Sequence, residues 1–127
     1  MTTLPIVAHV VDDHAAFRTA IGRLLRNCGY EVIMYESATQ LLERLPDEVG
    51  PSCILLDVRM PGMSGLELQQ RLAELGSTSP IVFLSSHSDI PTRVQAINAG
   101  AEDFLTKPVP NNKLLDAIER AILRYKN

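Results

Sequence analysis

The chain has 127 residues, 46% apolar and 21% charged, which fits one globular domain able to bury a core without disulfide or metal staples. A formal charge of −3 gives no bulk electrostatic reason to expect nucleic-acid binding. No stretch reaches the roughly 18 apolar residues of a membrane span, and Met1–Pro5 lacks the basic n-region of a signal peptide.

In chain order, short apolar runs alternate with longer amphipathic stretches. The first run is Ile6–Val11, interrupted by His9, which reads as a satisfied or sheet-edge histidine rather than a ligand. Phe17, Ile21, Leu24, Leu25 and Cys28 follow at helical spacing, with Gly29 as C-cap. After the run Val32–Tyr35, Ser37 with Gln40 reads as a capping box for a helix carrying Leu41, Leu42 and Leu45. After Cys53–Leu56, Ser64 with Glu67 starts a helix carrying Leu68, Leu72 and Leu75 that stops near Gly76. After Ile81–Leu84, Asp89 with Pro91 starts a helix with Val94 and Ile97, stopped at Gly100. The run Phe104–Leu105 precedes a fifth helix marked by Leu114, Leu115, Ile118, Ala121, Ile122 and Tyr125.

Three of the runs are nearly continuous rather than alternating, as expected of strands buried on both faces of a parallel sheet. The pattern is (βα)₅, and right-handed crossovers make it an open, doubly wound α/β sheet with helices on both faces. It fills one domain over 1–127, with a core from about 6 to 125. Cys28, on an apolar helix stripe, and Cys53, inside an apolar run, read as reduced core residues, which suits a cytoplasmic location.

Polar residues gather where the strands end. The first is followed by Asp12-Asp13, the third by Asp57, the fourth by Ser85-Ser86-His87 and the fifth by Thr106-Lys107-Pro108. In a parallel sheet these ends share one edge, where open α/β sheets bind ligands. Three clustered carboxylates repel, and a divalent cation removes the conflict. Mg²⁺ fits an all-oxygen donor set, and no His/Cys spacing suggests zinc. A carboxylate can be the nucleophile that forms an aspartyl-phosphate. With Mg²⁺ and Lys107 neutralising phosphoryl oxygens and Ser85 donating a hydrogen bond, the set has the parts for phosphoryl transfer onto Asp57. Taken singly, each part has a plainer reading: Asp12-Asp13 as a helix N-cap, Asp57 as a cap before Pro61-Gly62, Ser85 as a turn hydroxyl, Lys107 as a solvated surface lysine. The signal is their convergence on one sheet edge.

Val10-Val11-Asp12-Asp13, the stretch Leu55-Leu56-Asp57-Val58-Arg59-Met60-Pro61-Gly62-Met63-Ser64-Gly65, Ser85, and Lys107-Pro108 together resemble the receiver domain of two-component response regulators. The resemblance runs from about Ile6 to Tyr125. The stretch after Asp57 and the segment Ser86–Pro91 look most like FixJ-type receivers, which are usually joined to a helix-turn-helix output domain.

The resemblance implies a flavodoxin-like fold with strand order 2-1-3-4-5. It implies a signalling switch rather than an enzyme with turnover: Asp57 as phosphoacceptor for a sensor histidine kinase, with Mg²⁺, or Mn²⁺ in its place, as cofactor. Asp12 and Asp13 match the acidic pair that holds the ion, Asp13 ahead of Asp12 as the direct ligand and Asp12 often through water. The Arg59 backbone carbonyl matches a further ligand. Ser85 matches the hydroxyl that follows the phosphoryl group, Lys107 the lysine that bridges to it, and Phe104 the aromatic whose rotamer reports the state. The Lys107-Pro108 bond is expected to be cis.

Activation would alter the surface of the fourth helix, fifth strand and fifth helix, governing homodimerisation or an output domain, with no direct nucleic-acid or membrane contact by this chain. Asn127 comes one helix past the site, too soon for a DNA-binding domain; the chain reads either as a stand-alone receiver or, as the FixJ-like flavour favours, as part of a longer transcriptional regulator.

Some positions depart from the family pattern. Ser86 stands where Ala or Gly is usual, which narrows access to the phosphoryl group, and Val109 stands where Phe is common. Arg59 and His87 fall where the family tunes dephosphorylation, though a plain loop histidine is an equal reading of His87. His14 reads as a helix-start residue. A pseudo-receiver acting only as an interaction module would be expected to lose Asp57, Lys107 or the acidic pair, and all are present. A flavin site would want a Ser/Thr/Gly-rich loop after the first strand, and a haloacid-type hydrolase an x-D-x-D spacing there; the chain has neither.

Overall fold

The computed structural model describes residues 6–44, 51–86 and 89–126. Strands β1 (Val7–Val11), β2 (Glu31–Tyr35), β3 (Ser52–Asp57), β4 (Ile81–Ser85) and β5 (Asp103–Thr106) alternate with helices α1 (Ala15–Asn27), α2 (Ala38–Glu43), α3 (Gly65–Glu74), α4 (Ile90–Asn98) and α5 (Asn111–Lys126). All strand pairs are parallel, in the order β2-β1-β3-β4-β5. This is the expected (βα)₅ sheet. The continuous apolar runs are the inner strands: every residue of β3 and β4 is buried, whereas β2 and β5, at the edges, are only partly covered.

Side chains alternate across the sheet, so two cores form. Ala8, Val10, Cys53, Leu55, Val82 and Leu84 pack under Ile21 and Leu25 of α1 and Leu114, Ile118 and Ile122 of α5. On the opposite face Val11, Ile54, Leu56 and Phe83 pack with Leu41 of α2, Leu68 and Leu72 of α3 and Ala96 of α4. Each fully buried Leu or Phe contributes roughly 1.5–3 kcal/mol relative to exposure, which locks the strand register and with it the strand ends that carry the polar groups.

Of the three helix starts signalled by Ser37, Ser64 and Asp89, two follow the local chemistry in full. Ser64 and Glu67 form a full capping box on α3, and Asp89 caps α4 through the Thr92 amide with Pro91 in its first turn. At α2 Ser37 accepts from the Gln40 amide, but Gln40 Oε1 accepts from the Glu36 amide rather than that of Ser37, so the expected box is only half formed. Ser37 enters α2 with φ −153°, against −76° at Ser64, so the peptide before it is turned differently and the Gln40 side chain meets the Glu36 amide instead. Leu45 lies outside the described residues.

Two apolar expectations are corrected. Cys28 is exposed, because α1 ends at Asn27 and Cys28 is its C-cap; only Cys53 is a core thiol, and both are free. Val94 and Ile97 are 49% and 41% exposed, and Ile90 is 74% exposed, so the apolar stripe of α4 points outward. This helix is buried only at Ala96, where the buried Gln69 of α3 donates its amide to the Ala96 carbonyl at 3.0 Å. His9 is buried in the middle of the sheet and shares a 2.9 Å hydrogen bond with the Tyr35 hydroxyl, so it is satisfied and not at an edge.

Candidate functional site

Order in the sheet reverses between β1 and β3, the first winding outward to β2 and the second toward β4. Crossovers leave on opposite faces at that point and open a crevice beyond the strand ends. The parallel register pairs Val11 with Leu56, so Asp12 and Asp57 lie side by side there. Ser85 closes β4 one strand further on, paired in register with Thr106, and the Lys107 amide donates to the Ser85 carbonyl at 2.7 Å. The Lys107-Pro108 peptide bond is cis, as expected.

Asp12 is 2% exposed and Asp57 4%. Lys107 Nζ donates to Asp12 Oδ2 at 2.8 Å and stands 3.7 Å from Asp57 Oδ2, so one ammonium serves two buried carboxylates. It also lies 4.0 Å from the centre of the Phe17 ring on α1, a cation–π contact that walls the ammonium on its apolar side. Burial pushes the Asp57 carboxyl above its usual range; Lys107 opposes this, the neighbouring Asp12 charge adds to it, an Arg59 backbone N–H bond opposes it, and Asp13 adds a little more. Burial outweighs the rest, so the group is a desolvated carboxyl beside the Lys107 ammonium, the one cation that pairs with it among the described residues.

Asp13 is more exposed than Asp12. His14 is the N-cap of α1, as its place in the sequence predicts, but its imidazole does not cap the helix. Its amide donates to Asp12 Oδ1 at 2.8 Å, and Nδ1 lies 3.3 Å from Asp12 Oδ1 and 3.4 Å from Asp13 Oδ1. Donor atoms of Asp12, Asp13, His14 and Asp57 all lie within 4.8 Å of one another. Three carboxylates in that space with one lysine fit a divalent cation on charge and on oxygen chemistry.

The floor comes from α3. Its first residue, Gly65, donates its amide to the Val58 carbonyl at 2.8 Å, and a Cβ there would stand 2.1 Å from the Asp57 carbonyl oxygen. Phe104 is buried against Phe83, with ring centroids 5.9 Å apart, one strand from Ser85. Arg59 and Ser86 are exposed beside the crevice, and His87 lies outside the described residues. Phe17 packs against the core, as its place in the apolar stripe predicts, and also meets Lys107; Arg18, which no sequence motif singles out, donates from its guanidinium to the Asp12 carbonyl at 2.6 Å. The signal available is position: both fall one helical turn beyond the acidic pair, on the helix that starts from it.

No described helix is long and apolar enough to cross a membrane. The family model described as "Response regulator receiver domain" matches residues 8–119. The chain is 47% identical over 116 residues to the response regulator protein TmoT of Ectopseudomonas mendocina, covering 91% of this chain and 52% of that protein. It is 40% identical over 114 residues to the transcriptional regulatory protein FixJ of Bradyrhizobium diazoefficiens, covering 90% and 55%. The crystal structure of FixJ-N superposes with a TM-score of 0.87 at 36% identity, covering 95% of this chain and 96% of that one. The chain thus spans about half the length of the curated relatives it matches. Sheet order, strand-end chemistry and these likenesses agree, and the chain belongs to the response regulator receiver domain family, in its FixJ-like subgroup.

Proposed function

We propose that this chain, read as a single receiver domain, is a phosphoacceptor switch. The observation that carries the reading is the Asp57 carboxylate: desolvated, unsaturated in charge, and 3.7 Å from the Lys107 ammonium at the mouth of a three-acid crevice. An Asp57 oxygen attacks the phosphorus of a phosphohistidine on a sensor kinase. The new O–P bond forms as the N–P bond breaks, and the leaving imidazole takes up a proton. Asp12, Asp13, Asp57 and the Arg59 backbone carbonyl would hold Mg²⁺, or Mn²⁺ in its place, which when bound supplies positive charge to the phosphoryl oxygens.

Lys107 turns from Asp12 toward a phosphoryl oxygen, and Ser85 donates to another. Ser85 vacates space beside Phe104, which is free to change rotamer, and the surface of α4, β5 and α5 changes with it. The phosphoryl group drives this only as far as it binds the active arrangement more tightly. The outward apolar stripe of Ile90, Val94 and Ile97 supports a role for that surface in homodimerisation or in holding an output domain. Because the relatives are about twice as long and one is named a transcriptional regulator, the output is read as a C-terminal helix-turn-helix domain and the setting as cytoplasmic two-component signalling. Arg59 and His87 are read as tuning the lifetime of the phosphoryl group. The chain is not a turnover enzyme in this reading; it catalyses only its own phosphorylation and dephosphorylation.

The test is incubation with acetyl phosphate and Mg²⁺ followed by intact-mass measurement. Wild type should gain one phosphoryl group and Asp57→Asn none. No gain in wild type, or equal gain in both, would refute the proposal.

A further inference from the structure

The His14 side chain has no part in the switch as derived above, yet among the described residues it is the one imidazole grouped with the crevice acids. Its position favours Ser, Thr, Asp or Asn, whose oxygens cap a helix start. His14 holds N-cap geometry with no side-chain cap bond. The imidazole folds back onto the acids instead, with Nδ1 between Asp12 Oδ1 at 3.3 Å and Asp13 Oδ1 at 3.4 Å. Lys107 holds Oδ2 of Asp12, while Oδ1 accepts the His14 amide at 2.8 Å and faces the imidazole, so the two side chains present their donor atoms to one another on the side away from the lysine. The imidazole is 69% exposed, so an ion arriving from solvent meets Nδ1 without disturbing the core.

We propose that His14 is a metal ligand that turns an oxygen site for Mg²⁺ into a mixed nitrogen–oxygen site preferring a divalent transition cation. The inference rests on the reading of the acidic crevice as a metal site. Mg²⁺ takes oxygen donors and gains little from imidazole. Co²⁺, Ni²⁺ and Zn²⁺ bind imidazole well, through its neutral ring nitrogen. Asp12, Asp13, His14 and Asp57 offer one nitrogen and three carboxylates within 4.8 Å, enough donors for such an ion with positions left for solvent or a phosphoryl oxygen. Carboxylates alone already rank transition ions above Mg²⁺, so the claim concerns the part of that preference that depends on His14.

The experiment titrates the full chain with Mg²⁺ and with Co²⁺ by calorimetry, following the visible bands of Co²⁺ in parallel, for wild type, His14→Asn and Asp13→Asn. Asn is a good N-cap, so the His14 variant keeps its helix start. We expect His14→Asn to weaken Co²⁺ by about tenfold or more, the scale on which losing even an outer-shell partner acts. Its Co²⁺ bands should shift, and Mg²⁺ affinity should move by no more than about twofold. Asp13→Asn should weaken both ions. An equal change for the two ions in His14→Asn, or no change in Co²⁺ affinity or bands, would overturn the role of His14 while leaving the acidic site standing. Failure of wild type to bind either ion would overturn the metal reading itself.

Discussion

Gly65→Ala tests how tightly α3 is pressed against the phosphoacceptor strand. Helix propensity alone favours the alanine, by up to about 1 kcal/mol in a helix interior. Packing argues the opposite. The added Cβ would stand 2.1 Å from the Asp57 carbonyl oxygen, 3.0 Å from its carbonyl carbon and 3.1 Å from Phe83 Cε1. The first two atoms are backbone of β3, which is buried along its whole length and paired on both sides, so the strain cannot be relieved by a rotamer change. Overpacking a rigid site costs about 1–3 kcal/mol, and here the upper end applies. At roughly 3–6 °C per kcal/mol for a chain of this size, Tm should fall by about 10–15 °C. Thermal unfolding followed by circular dichroism reads this directly, with Gly65→Ser as a second small side chain. The Gly65 amide is bonded to Val58, so relief by moving α3 would also shift Asp57 and slow phosphorylation from acetyl phosphate. An alanine variant as stable as wild type, or more stable, would show that propensity outweighs the contact and that α3 does not constrain the strand end.

The remaining predictions concern charge. Because burial raises the folded Asp57 carboxyl above its unfolded value, the folded state holds this proton more tightly, and ionising it disfavours folding. The effect is absent below the unfolded value of 3.8 and complete once pH exceeds the raised folded value, so Asp57→Asn should be more stable than wild type at pH 7 and the gap should close on acidification; urea melts at several pH values measure it, and a gap that widens in acid would contradict the assignment. Lys107→Met keeps the stem but leaves Asp12 and Asp57 without their shared cation. Loss of one partner of a buried pair costs about 3 kcal/mol, and added Mg²⁺ should raise the Tm of this variant more than that of wild type; an equal response would argue against one charge deficit serving both cations. Phe17→Leu should cost about 0.5–1 kcal/mol through the cation–π contact, and a double-mutant cycle with Lys107→Met should show coupling of that size.

The periodicities and end signals carry the (βα)₅ pattern, whereas the strand order rests on the resemblance to receiver domains. Continuous apolar runs mark strands buried on both faces, as β3 and β4 are, Ser64 with Glu67 marks the start of α3, and the strand-end acids and lysine point to the crevice. These features are legible because each depends on residues close in the chain or on a period of two or 3.6. Burial was harder to read. Cys28 and Val94 share the spacing of core positions yet are exposed, because which arc of a helix meets the sheet depends on where the helix ends and how it is tilted.

Asp57 was named from the chain alone, together with Asp12, Asp13, Ser85 and Lys107. Tertiary structure alone decided that Lys107 serves Asp12 more closely than Asp57, at 2.8 Å against 3.7 Å, that Phe17 rather than solvent backs its ammonium, and that the His14 imidazole turns onto the acids instead of capping α1. The physical reason is range. Which residue types reach the sheet edge follows from local pattern, whereas which charge each one faces is set by contacts across the fold, such as the 95 residues that separate Asp12 from Lys107.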